Sequence, residues 1–209
     1  MKISFCTTCQ NYTHYLKQTY IKNLEVGKDY DCDFVLINYN SQDDMDNWVK
    51  KHLKKYINSG YLTYYHDKES KGFNMSVSKN LSHKFGIGDI LVNLDADNFL
   101  TKEYIDWVVK QFEKNSNIVT EGIGHGAGGR VAVWRRDYNS VGGYDESLDS
   151  PLYGTDHRDF CNRLKVLFNR DIVVTPKELC PFIEQTEEHI NIAKERSKLN
   201  KAIHGNNIR

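Results

Sequence analysis

The chain has 209 residues and a mass of 24.3 kDa, which is enough for one compact domain with a small appendage. Its 28 basic residues balance its 28 acidic residues, so the bulk charge does not favour a nucleic-acid-binding protein. Apolar residues make up 39% and aromatic residues 12% of the chain, and this composition excludes disordered and fibrous proteins.

Apolar runs in the chain are short. None approaches the roughly 18 residues of a membrane span, and the N-terminal segment soon becomes polar. We therefore predict neither a signal peptide nor a transmembrane segment. The five cysteines are odd in number and scattered, which favours reduced thiols and a cytoplasmic location.

Cys6 and Cys9 form a C-x-x-C motif between a predicted strand and a predicted helix, where a thioredoxin-like redox pair would sit. Phe5 stands where such enzymes usually have a tryptophan, and the chain has no second C-x-x-C to complete a zinc site. We expect both cysteines to be small thiols, buried or at the rim of a pocket.

Short apolar runs alternate with stretches of helical periodicity, which is typical of a mainly parallel sheet flanked by helices. The predicted strands cover residues 2–6, 33–38, 60–66, 89–95, 130–134 and 171–175. The predicted helices cover residues 12–25, 43–57, 74–85 and 156–168, and one more begins near residue 102, behind a Thr101 N-cap. The fourth strand, DILVNLD, has the most continuous apolar character and should be central.

Two segments depart from this alternation. Residues 121–129 contain five glycines, which predicts a loop beside a ligand. Residues 185–209 are charged, with acids first and bases later, as suits a helix. We therefore predict one domain over residues 1–184 and a C-terminal helical extension over residues 185–209.

Two carboxylates follow the predicted central strand. Ligands of open α/β sheets bind beyond the carboxyl ends of the strands, where Asp95 and Asp97 lie. Alternate residues of an extended chain point to the same side, so the pair can hold a hard divalent cation and leave positions for phosphate oxygens. The alternative is a structural pair that caps the next helix.

Several sequence blocks resemble the inverting family-2 glycosyltransferases with a GT-A fold, of the kind found in bacterial capsule and polysaccharide assembly. These blocks are VSKNLSHKFGIGDILVNLDAD, VGGYDESL and YGTDHRDFCNRL, and the resemblance spans about residues 2–175. It implies an α/β, GT-A-like, mainly parallel sheet flanked by helices. It also implies that Asp95 and Asp97 bind Mn²⁺ or Mg²⁺, which bridges the diphosphate of a nucleotide sugar.

The resemblance further implies roles for individual residues. The acceptor side would be lined by Gly143, Tyr144 and Asp145. Asp156 and His157 occupy the positions where the family has an adjacent Glu and Asp, and either could be the general base. The donor site would comprise Thr7, Thr8, Gln10, Asn38, Asn40, Lys79, Asn80 and Asp95. His189, or alternatively His204, would supply a third metal ligand.

The expected function is a metal-dependent inverting transfer of a sugar from a nucleotide sugar, with UDP favoured, to a hydroxyl acceptor. No nucleic-acid partner is expected. One alternative is a degenerate relative that binds a nucleotide sugar or glycan without turnover. Another is a sugar nucleotidyltransferase, but the segment CTTCQNYTHY lacks the glycine and arginine of the phosphate loop typical of those enzymes.

Overall fold

We describe the protein from a computed structural model, in which residues 1–70, 72–124, 126–148 and 155–184 are described. Within these ranges the strands are β1 Ile3–Cys9, β2 Cys32–Tyr39, β3 Leu62–Asp67, β4 Ile90–Asn93, β5 Ile118–Gly122, β6 Val131–Trp134 and β7 Asp171–Thr175. The α-helices are α1 Thr13–Gly27, α2 Met45–His52, α3 Lys54–Asn58, α4 Met75–Phe85, α5 Lys102–Lys114, α6 Arg135–Val141 and α7 Thr155–Phe168.

The seven strands form one sheet in the order β3-β2-β1-β4-β6-β5-β7. Strand β6 runs antiparallel to its neighbours β4 and β5, and every other pairing is parallel. The strand predicted to be central, β4, does lie in the middle of the sheet. The prediction of a mainly parallel sheet flanked by helices is confirmed.

Three predicted features of the chain need correction. The helix predicted over residues 43–57 is divided into α2 and α3 at Leu53, where φ is −108° and ψ is 0°. Strand β5 was not predicted, and its last two residues, Glu121 and Gly122, belong to a strand instead of the glycine-rich loop. The short helix α6 was also missed. The predicted C-terminal extension, residues 185–209, lies outside the described residues.

Alternating strand residues create a core on each face of the sheet. Phe34 and Leu36 of β2 face α1 and α5, whereas Val35 and Ile37 face α4. The side chains on both faces of β2 are fully buried, which is typical of a parallel sheet covered by helices on both sides. Helices α6 and α7 cover the part of the sheet that contains β5 and β6.

Cys6 and Cys9 lie on opposite faces of the sheet. Cys6 packs in the core cluster of Val35 and Ile37, and Cys9 packs in the cluster on the other face. Side chains that point apart cannot form a disulfide without movement of the backbone, so the redox interpretation fails. All five cysteines are buried and none is in a disulfide, and burial raises the pKa of the Cys6 thiol. No helix in the described ranges is long and apolar enough to cross a membrane.

Helix α4 has five buried polar side chains, which include Lys79 and His83. Its N-terminus is capped by Asn74, whose side chain accepts a hydrogen bond from the Val77 amide at 3.0 Å. One turn after Lys79, His83 donates from Nδ1 to the Lys79 carbonyl at 2.7 Å, and its ring stacks on Tyr138. Burial lowers the pKa of His83 to about 4, with the charge of Lys79 acting in the same direction, so the ring is neutral.

Acidification should therefore destabilise the protein through His83. Its stabilising contribution is fully present above the unfolded pKa of 6.5 and is lost as the pH falls towards about 4. We expect the free energy of unfolding to fall by about 3 kcal/mol more in the wild type than in His83→Gln over that pH window. Urea unfolding followed by circular dichroism at each pH measures this, and exposed His52→Gln is the matched control. Equal pH dependence in all three proteins would contradict the assignment.

Candidate active site

The predicted metal-binding residues lie at the edge of the sheet where β1, β2, β4 and β5 end. Asp95 and Asp97 directly follow β4, and both are partly exposed. Asn93 Nδ2 donates to Asp95 Oδ1 at 2.9 Å and to the Gly129 carbonyl at 2.9 Å. The second Asp95 oxygen lies near Lys79, because a Cβ placed on Gly129 would be 3.6 Å from Asp95 Oδ2 and 3.5 Å from Lys79 Nζ. A glycine at 129, with φ +94°, leaves this space open.

The turn that carries Asp97 is anchored by the C-terminal part of the described chain. The Asp97 carbonyl accepts a hydrogen bond from the Ile183 amide at 2.9 Å, and Asn98 forms an antiparallel β-bridge with Phe182. The Phe182 ring lies so close to Gly126 that a Cβ there would come within 2.2 Å of it. The turn of Asp97 and the glycine-rich loop therefore both pack against the segment that contains Phe182 and Ile183.

Arg130 was not identified from the sequence. Its side chain links the turn after Asp97 to the segment before Phe182. Its side chain is 1% exposed, and its guanidinium lies 5.1 Å above the Tyr104 ring. Among the described residues no carboxylate lies within ion-pair distance of it. The guanidinium donates instead to the Asn98 side chain and to the carbonyls of Phe99, Leu179 and Pro181 at 3.2–3.4 Å.

Lys79 and Asp156 form a buried ion pair beside Asp95. Lys79 Nζ donates to Asp156 Oδ2 at 2.6 Å, and the two residues are 3% and 4% exposed. Burial raises the pKa of Asp156, but the Lys79 ammonium outweighs it and holds the pKa well below its usual range. Burial correspondingly lowers the pKa of Lys79, and Asp156 and Asp95 together raise it above its usual value. Both groups therefore remain charged.

The second predicted catalytic residue, His157, lies between two carboxylates. Its Nε2 is 3.5 Å from Glu121 Oε1, and its Nδ1 is 3.8 Å from Asp156 Oδ1. Burial raises the pKa of Glu121, while the charges of His157 and Arg158 oppose that increase. Glu121 was missed because β5 was not predicted. Recognition of that strand would have placed Glu121 at the same edge of the sheet as Asp95.

The predicted acceptor residues form a turn braced by Asn80. Asn80 Nδ2 donates to the Tyr144 carbonyl and to Glu146, and its Oδ1 accepts from the Tyr138 hydroxyl and the Tyr144 amide, all within 2.9 Å. A Cβ on Gly143, where φ is +73°, would be 2.6 Å from that same Asn80 oxygen. The amide of Asn80 is therefore fully engaged in holding the turn.

A polar cavity of about 340 Å³ opens beside this turn. Asp145 lines it. The Tyr144 side chain is almost wholly buried, with its ring stacked 4.6 Å from that of Phe160 and Lys79 Nζ 5.4 Å from its centroid. The full lining consists of Asn80, Val141, Gly142, Tyr144, Asp145, Glu146 and Arg163.

Five of the predicted donor residues lie in the last residues of β1 and β2 or just after these strands, and they differ in exposure. Thr8, Gln10 and Asn40 are partly exposed, whereas Thr7 and Asn38 are buried behind them. The buried amide of Asn38 orders its own turn, because its Oδ1 accepts from the Ser41 amide at 2.8 Å and its Nδ2 donates to the Tyr64 hydroxyl at 3.2 Å. Asn40 has φ +51° and donates to the Ser70 carbonyl.

The third metal ligand cannot be placed. Both His189 and His204 lie outside the described residues. Within the described ranges no group of three histidine, cysteine or acidic side chains could hold a metal ion. The described chain ends at Glu184, one residue after the Ile183 amide that binds the Asp97 carbonyl, so His189 is five residues from the end of this segment.

The sequence matches the family model described as Glycosyl transferase family 2 over residues 4–173. A search of the curated proteins finds no match. Solved structures do match. S. aureus TarS (residues 1–349) in complex with UDP-GlcNAc is 15% identical, has a TM-score of 0.70, and is matched over 97% of this chain and 66% of that chain.

Two further structures show the same fold with other ligands. The mannosyltransferase PcManGT from Pyrobaculum calidifontis, in complex with GDP-Man and Mn²⁺, is 11% identical with a TM-score of 0.71, over 99% of this chain and 76% of that chain. GalNAc-T7 with UDP, GalNAc and Mn²⁺ is 15% identical with a TM-score of 0.72, over 90% of this chain and 44% of that chain. At these identities the likeness shows a shared fold.

Removal of one partner of the Lys79–Asp156 pair should leave the other charge uncompensated in the core. We expect Lys79→Met and Asp156→Asn each to reduce the free energy of unfolding by about 3–5 kcal/mol, and the double variant to lose clearly less than the sum. Urea denaturation of the four proteins measures the coupling. Lys102→Met, which breaks the exposed ion pair with Asp29, should change stability little. Additive losses would show that the two charges do not compensate each other.

Proposed function

Because the chain belongs to glycosyl transferase family 2 and has the GT-A fold, we propose that it is a metal-dependent inverting enzyme. In this proposal it transfers a sugar from a nucleoside diphosphate donor to a hydroxyl acceptor. The observation that carries the proposal is the position of Asp95 and Asp97 beyond the central strand, beside the buried Lys79 ammonium. The carboxylates can hold a cation at the place where this fold binds ligands.

The donor set at this edge fits a hard divalent cation. Asp95 and Asp97 offer carboxylate oxygens, and Asn93 fixes the orientation of Asp95. Mg²⁺ is commonly held by one or two carboxylates together with substrate phosphates and water, so a small protein donor set is sufficient. When bound, Mn²⁺ or Mg²⁺ would act as a Lewis acid that stabilises the charge of the departing diphosphate. The Mn²⁺ complexes of PcManGT and GalNAc-T7 support this choice.

In the proposed complex, Asp97 binds the cation directly, Asp95 acts through water or the ribose, and His189 completes the set. The nucleotide lies across the ends of β1 and β2, where Thr8, Gln10 and Asn40 are partly exposed. Thr7 and Asn38 support these residues from behind. We favour UDP as the nucleotide, because the complexes of TarS and GalNAc-T7 contain UDP-GlcNAc and UDP.

The two candidate bases differ in their electrostatic environment. Asp156 is held ionised by Lys79, and a carboxylate with a strongly lowered pKa is a weak base. His157 Nδ1 is 3.8 Å from the other Asp156 oxygen, but His157 is not held by Lys79, so we propose His157 as the group that takes the proton. The acceptor O–H bond then breaks, the proton moves to the imidazole, and the acceptor oxygen attacks the anomeric carbon. The bond from that carbon to the diphosphate oxygen breaks on the opposite side, which inverts the centre.

The remaining parts of the chain suit the same function. The turn of Gly143, Tyr144 and Asp145 and its polar cavity would receive the acceptor, which we propose is a glycan or small molecule in polysaccharide assembly. We assign the catalytic domain to residues 1–184 and a helical extension to residues 185–209. None of the five cysteines is in a disulfide, which favours the cytoplasm as the site of action.

Donor binding should depend on both the metal and Asp97. We expect UDP, UDP-GlcNAc or GDP-mannose to raise the melting temperature only when Mn²⁺ is present, by the equivalent of about 2.7 kcal/mol at one hundred times the dissociation constant. Asp97→Asn should abolish this stabilisation, whereas Asp31→Asn, on an exposed loop, should retain it. A shift that is equal with and without Mn²⁺, or that survives in Asp97→Asn, would place the donor elsewhere.

Turnover separates the proposed reaction from its rivals. Release of nucleoside diphosphate from the bound donor, with an inverted anomer in the product, is the expected result. Tight binding without turnover across the donor panel would identify a binding protein instead. Formation of a nucleotide sugar from a nucleoside triphosphate and a sugar phosphate would identify a nucleotidyltransferase.

The third metal ligand can be assigned by comparing two histidines. Loss of a neutral imidazole ligand weakens metal binding, so we expect His189→Ala to raise the dissociation constant for Mn²⁺ at least about tenfold. His204→Ala is the matched variant and should bind Mn²⁺ as the wild type does. Calorimetric titration with MnCl₂ in the presence of UDP measures both. The reverse pattern would assign the ligand to His204.

A further inference from the structure

The proposed mechanism leaves one buried acidic side chain next to the base without a role. We propose that Glu121 is a positioning residue that holds Nε2–H of His157, so that Nδ1 is free to receive the proton of the acceptor hydroxyl. This inference rests on the proposed function of His157 as base. It identifies a carboxylate–histidine pair in place of a single carboxylate.

Two rigid elements bring the pair together. Glu121 is the fourth residue of β5, paired in register with Val131 of β6, and His157 is in the first turn of α7. Val119, which lies on the same face of β5 as Glu121, belongs to the core cluster that also contains Phe160 of α7. Packing of α7 on this face therefore fixes the distance of 3.5 Å between Nε2 and Glu121 Oε1.

Burial protects the contact between Glu121 and His157 from water. Glu121 and His157 are 8% and 6% exposed, so water competes little for either group. A Cβ on Gly128 would be 3.9 Å from His157 Cε1, which places the glycine-rich loop directly against the ring. Hydrogen bonds in catalytic pairs are often long in ligand-free proteins and shorten when the substrate closes the site.

Two carboxylates lie within ion-pair distance of the His157 ring: Glu121 of β5 is 3.5 Å from Nε2, and Asp156 of α7 is 3.8 Å from Nδ1. Two cations act on these carboxylates, Arg158 of α7 on Glu121 and Lys79 of α4 on Asp156. Lys79 compensates the charge of Asp156, whose nearer oxygen is 3.8 Å from Nδ1. The carboxylate of Glu121 is thus the group that balances the imidazolium formed when the acceptor proton moves to Nδ1.

The tautomer of His157 tests the pairing without any substitution. We expect the nitrogen-15 NMR shifts of the labelled wild-type protein above pH 7 to show protonation at Nε2. Protonation at Nδ1 in the neutral ring would overturn the proposal. In Glu121→Gln the same spectra should show a larger share of the Nδ1–H tautomer, because a neutral amide is a weaker acceptor for Nε2–H than a carboxylate.

Kinetics then test whether the pairing matters for the reaction. With UDP-GlcNAc and Mn²⁺, and water as acceptor, we expect Glu121→Gln to lower kcat at least about tenfold and to move the acid limb of the pH profile to lower pH. KM should change little, Glu121→Asp should recover part of kcat, and Glu113→Gln, which removes an exposed carboxylate of α5, should match the wild type. The kinetic role is refuted by an unchanged kcat and pH profile.

The two hypotheses fail in different ways. If the wild type turns over donor but Glu121→Gln shows the same kcat and the same His157 tautomer, the inference is wrong and the proposed function stands. If no donor is turned over by the wild type while the Nε2–H tautomer and its loss in Glu121→Gln are both observed, the pairing is supported and the proposed function is contradicted.

Discussion

The buried ion pair of Lys79 and Asp156 is the interaction on which the site depends. Helix α4 packs against β1 and β2, and α7 packs against β5 and β7, so the pair joins elements that lie on the two halves of the sheet. Neither charge could remain in the core alone, because the desolvation of a single ion costs several kcal/mol. Each half of the site therefore requires the other, and Asp95 and His157 are held at opposite ends of the same compensated cluster.

Arg130 is also a buried charge, but among the described residues its hydrogen-bond partners are neutral groups. Its buried charge is distributed over carbonyl and amide oxygens of segments that are distant in the sequence. Since these carbonyls belong to irregular chain, they would otherwise need water or other donors. The guanidinium satisfies them together, and in doing so it holds the turn of Asp97 against the segment that ends near Ile183.

The sequence was sufficient to predict the elements with strong periodicity and the residues that follow them. The apolar run of β4 is continuous, so Asp95 and Asp97 could be placed at the end of a central strand before any coordinates were known. Strand β5 is short and runs into the glycines, so its pattern resembles a loop and Glu121 was missed with it. Arg130 was missed for another reason: burial of an arginine depends on carbonyls supplied by remote segments, and no local pattern records them.

The predicted polar residues differ in burial and in hydrogen bonding, and their spacing in the sequence does not indicate these differences. Asn38 and Asn80 were predicted to contact the donor, and the structure shows both amides engaged in ordering turns. Such hydrogen bonds depend on which loops meet in three dimensions. These two amides therefore order the backbone turns of the site, while Thr8, Gln10 and Asn40 remain partly exposed.

The reversed direction of β6 has a consequence for how such an enzyme can diversify. Because β5 and β6 are antiparallel neighbours, the glycine-rich segment between them is the tip of a hairpin whose two stems are core strands. Gly124 has open space where a side chain would begin, so insertions there would project outward without altering the strand register. Variation at the tip can therefore be accommodated at Gly124, whereas Gly126, Gly128 and Gly129 are packed against Phe182, His157 and the Asp95 carboxylate.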